Sequence, residues 1–154
     1  MIDAGVTSLE HCPTYVGGII PDDIFIKAKD KEIFFVPTAD LLRRNYLIFN
    51  NKELILSEDE YYQNMPRKSL NKMLKMADKV KKAQVKKPQI RNAFNELFKG
   101  YKDDYVINFK KALEYGIKIA AGTDSGTNYT PHGIMAKELE LYVKFGMTTK
   151  NKLK

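Results

Sequence analysis

The sequence is poor in cysteine and in long apolar runs, and both shortages exclude classes of protein. Its single cysteine, Cys12, cannot form an internal disulfide. No charged-then-apolar signal peptide opens the sequence, so we expect a reducing, cytoplasmic location. The longest apolar runs, such as residues 33–36, fall far short of the roughly 20 residues that a bilayer-crossing helix needs. No membrane partner is therefore predicted.

Acidic residues are also scarce between positions 67 and 87, where nine basic residues accompany one acid, Asp78. The chain has a net charge of +7 and this stretch alone contributes +8, so the rest carries −1. Apolar residues here follow helical spacing, and lysines step by four and three along the opposite side: Leu70, Met73, Leu74, Ala77 and Val80 against Lys68, Lys72, Lys75, Lys79, Lys82 and Lys86. The pattern predicts an amphipathic helix with a cationic face. A solvated face is favoured over nucleic-acid contact, because readers of bases usually interleave aromatic residues with the charge.

Composition is otherwise that of an ordinary folded protein of 154 residues, 44% hydrophobic and 29% charged, so we expect one domain over residues 1–154. Three β-rich runs are predicted at residues 6–11, 33–38 and 117–124, each after a polar helical end. Helical periodicity, proline at a first turn and glycine at a cap predict flanking helices. One begins near Pro21, one ends at Gly116, one runs from about residue 132 to 145 with Gly146 past its end, and another starts in residues 147–154. This alternation favours an α/β fold with parallel strands.

A large excursion separates the second and third predicted strands. It covers about residues 40–105 and is mostly helical in pattern, with periodicity over residues 43–49 and 66–98. Pro88 marks a break between two helices, because proline cannot continue a helix from within. The excursion is predicted to be a helical insertion that forms a lid or a flanking layer.

Polar residues end all three predicted strands. His11 ends the first, Thr38 the second and Asp124 the third. The carboxyl ends of parallel strands meet at one edge, where ligands bind in α/β folds. Imidazole and carboxylate together can bind a divalent metal such as zinc, which lowers the pKa of a bound water to about 7. The alternatives are a hydrogen-bonded histidine at a strand end and an aspartate that stabilises a turn.

The amino-acid sequence around these residues is more specific evidence than their spacing. Residues 4–11 (AGVTSLEH) resemble the sixth-strand motif of metal-dependent amidohydrolases in the branch of imidazolonepropionase and prolidase-like dipeptidases. The runs FVPT and IAAGTDSG, at 35–38 and 119–126, resemble the seventh and eighth strands of that family. The runs PHG, AKELEL and FGMT, at 131–133, 136–141 and 145–148, resemble the helix that follows strand eight. The order is preserved over most of the chain apart from the insertion.

The resemblance implies a partial TIM-type (β/α)8 barrel made of the last three parallel strands and their helices. It implies that His11 binds the metal, and that Asp124 binds the metal or its water and acts as general base. It assigns His132 and Thr38 to the substrate pocket; the alternative for His132 is a histidine that is simply exposed in the first turn of a helix. The expected cofactor is a divalent metal, with zinc favoured, and the expected substrate is a small amide, cyclic amide or dipeptide-like molecule cleaved at its C–N bond. Cys12 replaces a glycine common in the family, and a small buried thiol is favoured there over a ligand.

The chain departs from the family in what it lacks. A barrel of eight strands takes about 250 residues. With two histidines in all, the chain cannot supply the His-x-His pair of strand one or the histidine of strand five, and the lysine or glutamate of strand four is absent. We therefore expect a C-terminal fragment that is inactive alone and whose partner is the missing N-terminal barrel portion or a second chain. The alternative is a non-catalytic interaction module that uses the cationic helix and exposed strand edges.

Overall fold

A computed structural model describes residues 2–12, 18–50, 56–57, 59–89, 92, 103–127 and 129–148. They form a mixed α/β structure with a three-stranded sheet. The strands are β1 (Ser8–Glu10), β2 (Phe34–Val36) and β3 (Lys118–Ile119), and a short 3-10 helix, Ile2–Ala4, precedes β1. The helices are α1 (Asp22–Asp30), α2 (Ala39–Asn50), α3 (Glu60–Gln63), α4 (Arg67–Lys86), α5 (Asp104–Glu114) and α6 (Met135–Lys144).

The sheet is parallel, and its strands are neighbours in chain order. Phe34 pairs with Ser8 on one side and with Lys118 on the other. The predicted α/β class with parallel pairing is thereby confirmed. Each strand is shorter than predicted. β2 ends before Pro37, because proline has no N–H to donate to a neighbouring strand. β3 ends early as well, because the residues that follow it have no strand beside them once β2 has ended.

The predicted glycine caps are confirmed at two helices. Gly116 after α5 and Gly146 after α6 have φ of 71° and 109°, in the left-handed region that glycine adopts without a steric penalty. The main chain then bonds back to the helix, as in the N–H of Met147, which donates to the Tyr142 carbonyl at 2.9 Å. α6 begins at Met135 instead of residue 132, because the chain has a φ of 86° at Gly133 and cannot be helical there.

The main core lies between the sheet and helices α1, α5 and α6. Its centre is aromatic: Phe25 of α1, Phe35 of β2, Phe109 of α5 and Tyr142 of α6 are fully buried. Burial of a side chain of this size contributes about 1.5–3 kcal/mol relative to exposure. The alternation of strands and helices in the sequence thus produces one apolar layer beneath the sheet.

The insertion packs through a second core. α2, α3 and α4 contribute Ile48, Tyr62, Met73 and Ala77, and Tyr129 joins them from the chain after β3. The predicted amphipathic helix is confirmed as α4, which ends just before the break predicted at Pro88. The periodicity predicted for 90–91 and 93–98, and the helix predicted to continue through 149–154, lie outside the described residues. None of the described helices is long and apolar enough to cross a membrane.

Candidate functional site

The three predicted rim residues follow the carboxyl ends of three adjacent strands. His11 comes directly after β1, Thr38 follows β2 by two residues, and Asp124 follows β3 by five. Because the strands are parallel, these ends meet at one edge of the sheet. β1 and β3 are each one strand away from β2, so they are about 9.6 Å apart. The side chains of His11 and Asp124 are both exposed.

All three rim residues have an uncommon backbone conformation. The φ angles are 57° at His11, 50° at Thr38 and 50° at Asp124. Among the described residues other than glycine, Glu32 is the only further one with positive φ. A β-branched residue such as threonine is a genuine outlier there, and each such conformation costs about 1–3 kcal/mol. Strain of this kind persists where the surroundings enforce it, and it clusters at functional sites.

The hydroxyl of Thr38 contacts the ring of His11. The Thr38 side chain is buried, and its hydroxyl donates its only hydrogen to the Pro37 carbonyl at 2.7 Å. The Thr38 oxygen also lies 2.8 Å from His11 Nδ1. With the hydroxyl hydrogen on the Pro37 carbonyl, a neutral His11 ring would donate from Nδ1 in the second contact. In that tautomer the lone pair would be on Nε2, where it could bind a metal or accept a hydrogen bond.

The chain around Thr38 is held by α6. One carboxylate oxygen of Glu138 accepts the backbone N–H of Ala39, and the other accepts that of Asp40, each at 2.7 Å. Glu138 therefore caps the amino end of α2, where the helix dipole favours negative charge. Burial raises the pKa of Glu138 above its usual value, although the two N–H groups act in the opposite direction. The tight turn at Thr38 thus has a fixed support immediately after it.

Sequence reasoning named Glu138 only within a family motif and did not include it in the site. A signal was present. Glu138 lies four residues after Ile134 and four before Tyr142, and both of these neighbours are buried. A carboxylate in an apolar stripe of a helix is rarely fully buried unless it has partners. The partners, however, are backbone groups about 98 residues away, and no local pattern identifies them.

Asp124 lies in a compact polar turn. The hydroxyl oxygens of Thr123 and Ser125, on either side of it, are 2.5 Å apart, and the N–H of Gly126 donates to the Thr130 carbonyl at 2.8 Å. His132 returns to this turn: a Cβ built on Gly126 would lie 3.4 Å from His132 Nε2. The structure therefore brings His132 to the turn that carries Asp124, with its ring exposed.

A buried ion cluster beside the rim was not predicted. Arg44 of α2 is fully buried; its Nε lies 2.5 Å from an Asp40 oxygen and its Nη2 lies 2.7 Å from an Asp59 oxygen. Arg43 Nε lies 2.8 Å from the other Asp40 oxygen. Burial disfavours the charge of Arg44, but attraction to Asp40 outweighs it, and the pKa of the guanidinium is raised. The cluster ties α2 to the segment before α3, and its spacing of three and four residues in the sequence is the signal that could have indicated it.

His11 and Asp124 are the two predicted metal ligands, and their nitrogen and oxygen donors suit zinc. Among the described residues, no three or more His, Cys, Asp or Glu side chains lie close enough to form a complete site. Cys12 packs against the main core, and burial raises the pKa of its thiol to about 12, so it stays protonated and binds metal poorly. No protein-family model, curated protein or solved structure matches the chain.

Proposed function

We propose that this chain is the C-terminal part of a metal-dependent amidohydrolase that cleaves amide or cyclic amide C–N bonds. The observation that carries the proposal is the 2.8 Å contact between His11 Nδ1 and the Thr38 hydroxyl, which engages one nitrogen of the ring at the carboxyl edge of the sheet. Metal-binding histidines usually use one ring nitrogen for the metal and hold the other by a hydrogen bond, as this ring does. Asp124 supplies a carboxylate at the same edge.

The sheet supports a partial (β/α)8 barrel. Its strands are parallel and adjacent in chain order, as successive barrel strands are. Within the described residues, β1 and β3 each pair with β2 alone. In a closed barrel the free side of β1 pairs with the preceding strand and the free side of β3 with the first strand. The N-terminal barrel portion, or a second chain that supplies it, is the partner that the proposal assigns to these free sides.

Each rim residue has a role in the proposed reaction. His11 Nε2 and the Asp124 carboxylate would hold a divalent cation, for which zinc fits the donor set. Zinc, when bound, acts as a Lewis acid that lowers the pKa of a water molecule to about 7. Asp124 accepts the proton of the attacking water and passes it to the leaving nitrogen. Thr38 keeps the His11 ring oriented, and the exposed ring of His132 contacts a small amide or dipeptide-like substrate.

The chain alone is expected to bind metal weakly. Catalytic zinc sites usually have three protein ligands, and the proposal assigns two here. The remaining ligands come from the N-terminal portion, so hydrolysis needs both parts. A cytoplasmic location accords with the single, protonated Cys12 thiol, which forms no disulfide under reducing conditions.

The test is a zinc titration followed by ¹⁵N NMR of the two histidine rings. In the isolated chain we expect hydrogen on His11 Nδ1, and zinc should shift His11 Nε2 while leaving His132 unchanged. The shift should vanish in Asp124→Asn and persist in the control Asp103→Asn, which changes an exposed carboxylate before α5. A His11 ring that carries its hydrogen on Nε2, or that does not respond to zinc, would contradict the proposal.

Turnover is tested by reconstitution. The chain is refolded with a separately expressed N-terminal barrel portion that carries the His-x-His strand, and hydrolysis of dipeptides and cyclic amides is measured. We expect activity only in the combined sample, and a loss of at least about a hundredfold in Asp124→Asn, because general acid–base groups contribute about 10²–10⁴ in rate. A reconstituted complex that binds zinc but hydrolyses none of these amides would contradict the assigned chemistry.

A further inference from the structure

The longest described helix, α4, has two opposite faces. Met73 and Ala77 are buried against the second core. At 100° per residue they lie about 140° and 180° around the axis from Lys68. Six lysines lie on the other side, within an arc of about 80°. We call them the lysine stripe: Lys68, Lys72, Lys75, Lys79, Lys82 and Lys86, all exposed.

The lysine stripe is a continuous line of positive charge. Its first and last lysines are 18 positions apart, which is about 27 Å along the helix axis. Within the described residues, none of the six ammonium groups has an ion-pair partner. Neighbouring lysines are three or four residues apart, and like charges at these spacings destabilise a helix by about 0.2–0.5 kcal/mol per pair. An anionic partner would remove this repulsion. Binding of such a partner would therefore stabilise α4.

The surroundings of the stripe favour a flat partner. Asp78 and Asn71 flank it on one side, and Met76 flanks it on the other. A helix in a duplex groove is enclosed on both flanks, and the Asp78 carboxylate would then face phosphates. A flat anionic surface contacts only the narrow lysine stripe. α4 also contains no aromatic residue on which bases could stack. Lysine presents a point charge on a flexible stem, which suits headgroup phosphates without fixed geometry.

We propose that the lysine stripe docks α4 on an anionic phospholipid surface. A cluster of about four to eight basic residues on an amphipathic helix is typical of segments that bind anionic lipids. The contact is peripheral. It extends the sequence analysis, which predicted no membrane partner because no segment could cross a bilayer, and it is independent of the metal rim.

The experiment is sedimentation of the whole chain with vesicles. Phosphatidylcholine vesicles with about one-third phosphatidylserine provide the anionic surface, and pure phosphatidylcholine vesicles provide the neutral one. We expect binding to the anionic vesicles at about 0.1 M salt and its loss at about 1 M, where the Debye length falls from about 10 Å to 3 Å. Absence of binding to anionic vesicles at the lower salt would overturn the proposal.

Two variants of equal net charge distinguish binding through the lysine stripe from binding through the net charge of the whole protein. The stripe variant changes Lys72, Lys75, Lys79 and Lys82 to Gln. The control changes four exposed lysines elsewhere to Gln: Lys29, Lys110, Lys137 and Lys144. Each stripe lysine should change vesicle partitioning about fivefold, so the stripe variant should lose on the order of several hundredfold. An equal loss in both variants would overturn the assignment to α4.

Duplex DNA is the competing ligand. Binding of a short mixed-sequence duplex is followed by fluorescence anisotropy at the same salt concentration. Vesicles should displace the protein from the duplex, and a duplex that is bound more tightly than the anionic vesicles would overturn the lipid assignment. Circular dichroism of both variants checks that α4 remains helical, because a loss of binding has meaning only in a folded protein.

Discussion

Glu138 of α6 and Asp40 of α2 are 98 residues apart in the sequence, yet a Glu138 carboxylate oxygen accepts the Asp40 backbone N–H at 2.7 Å. The other carboxylate oxygen accepts the N–H of Ala39 at the same distance. Two orphan donors of the first turn of α2 are satisfied in this way. The cap lies directly after Thr38, so it connects the last described helix to the strained rim.

Replacing Glu138 with Gln should destabilise the protein by about 1–3 kcal/mol, since the amide keeps one acceptor and turns an NH2 group towards a buried N–H. Chemical denaturation followed by circular dichroism measures the free energy of unfolding. Glu140→Gln is the matched control, because this residue is on the same helix but exposed and should change stability by less than about 0.5 kcal/mol. Equal effects of the two substitutions would refute the capping role.

The raised pKa of Glu138 predicts that the free energy of unfolding depends on pH. Because burial raises the folded-state pKa of Glu138 above the ordinary value of 4.5, folding favours its protonated form. Its contribution to stability is therefore fully present below pH 4.5 and declines as the pH rises through the raised pKa. The difference in unfolding free energy between the wild type and Glu138→Gln should narrow as the pH rises. A difference that stays constant, or widens, from acidic to neutral pH would show that Glu138 does not titrate in this way.

Elements with a local signal could be predicted from the sequence. α4 follows from its apolar period, and the ends of α5 and α6 follow from Gly116 and Gly146, because both signals depend on nearby residues alone. The meeting of His11 and Thr38 also followed from a general property, that parallel strands end at one edge. The 2.8 Å hydrogen bond between them depends on the positions of the two side chains, which no sequence pattern indicates.

Elements set by distant contacts could not be predicted. The strands are shorter than expected because pairing depends on the neighbour: Pro37 ends β2, and β3 then ends as well. The cap by Glu138 and the pairing of Arg44 with Asp59 join elements from different parts of the chain. Side-chain type gives the ability to form such contacts but does not identify the partner.

Arg44 should be far more sensitive to substitution than Arg43. Arg44→Met leaves the buried carboxylates of Asp40 and Asp59 without their main counter-ion, and loss of one partner of a buried ion pair costs about 3–5 kcal/mol. Arg43→Met should cost about 1 kcal/mol or less, because the Arg43 side chain is 26% exposed. Unfolding free energies measured by denaturation compare the two. A smaller loss for Arg44→Met than for Arg43→Met would be inconsistent with the cluster.

Gly122 should not tolerate a side chain. A Cβ at this position would overlap Val36 Cγ1, and overpacking of this kind costs about 1–3 kcal/mol. Because the clash is with one methyl group, Val36→Ala should relieve it, so Gly122→Ala should cost less stability in the Val36→Ala background than in the wild type. A double-mutant cycle of unfolding free energies measures this coupling. Strictly additive changes in unfolding free energy would mean that a side chain at position 122 does not clash with Val36.

Thr38 should control the tautomer of His11, and the hydroxyl is the group that matters. In Thr38→Val the Nδ1 hydrogen loses its acceptor, so the population with hydrogen on Nε2 should rise, and this form cannot bind a metal through Nε2. Thr38→Ser keeps the hydroxyl and should keep the wild-type tautomer. The ¹⁵N chemical shifts of the ring nitrogens report the populations directly, and His132 in the same sample is the internal control. If Val and Ser at position 38 give the same His11 spectrum, the hydroxyl does not fix the ring, and the link between the Thr38 turn and the candidate metal ligand is broken.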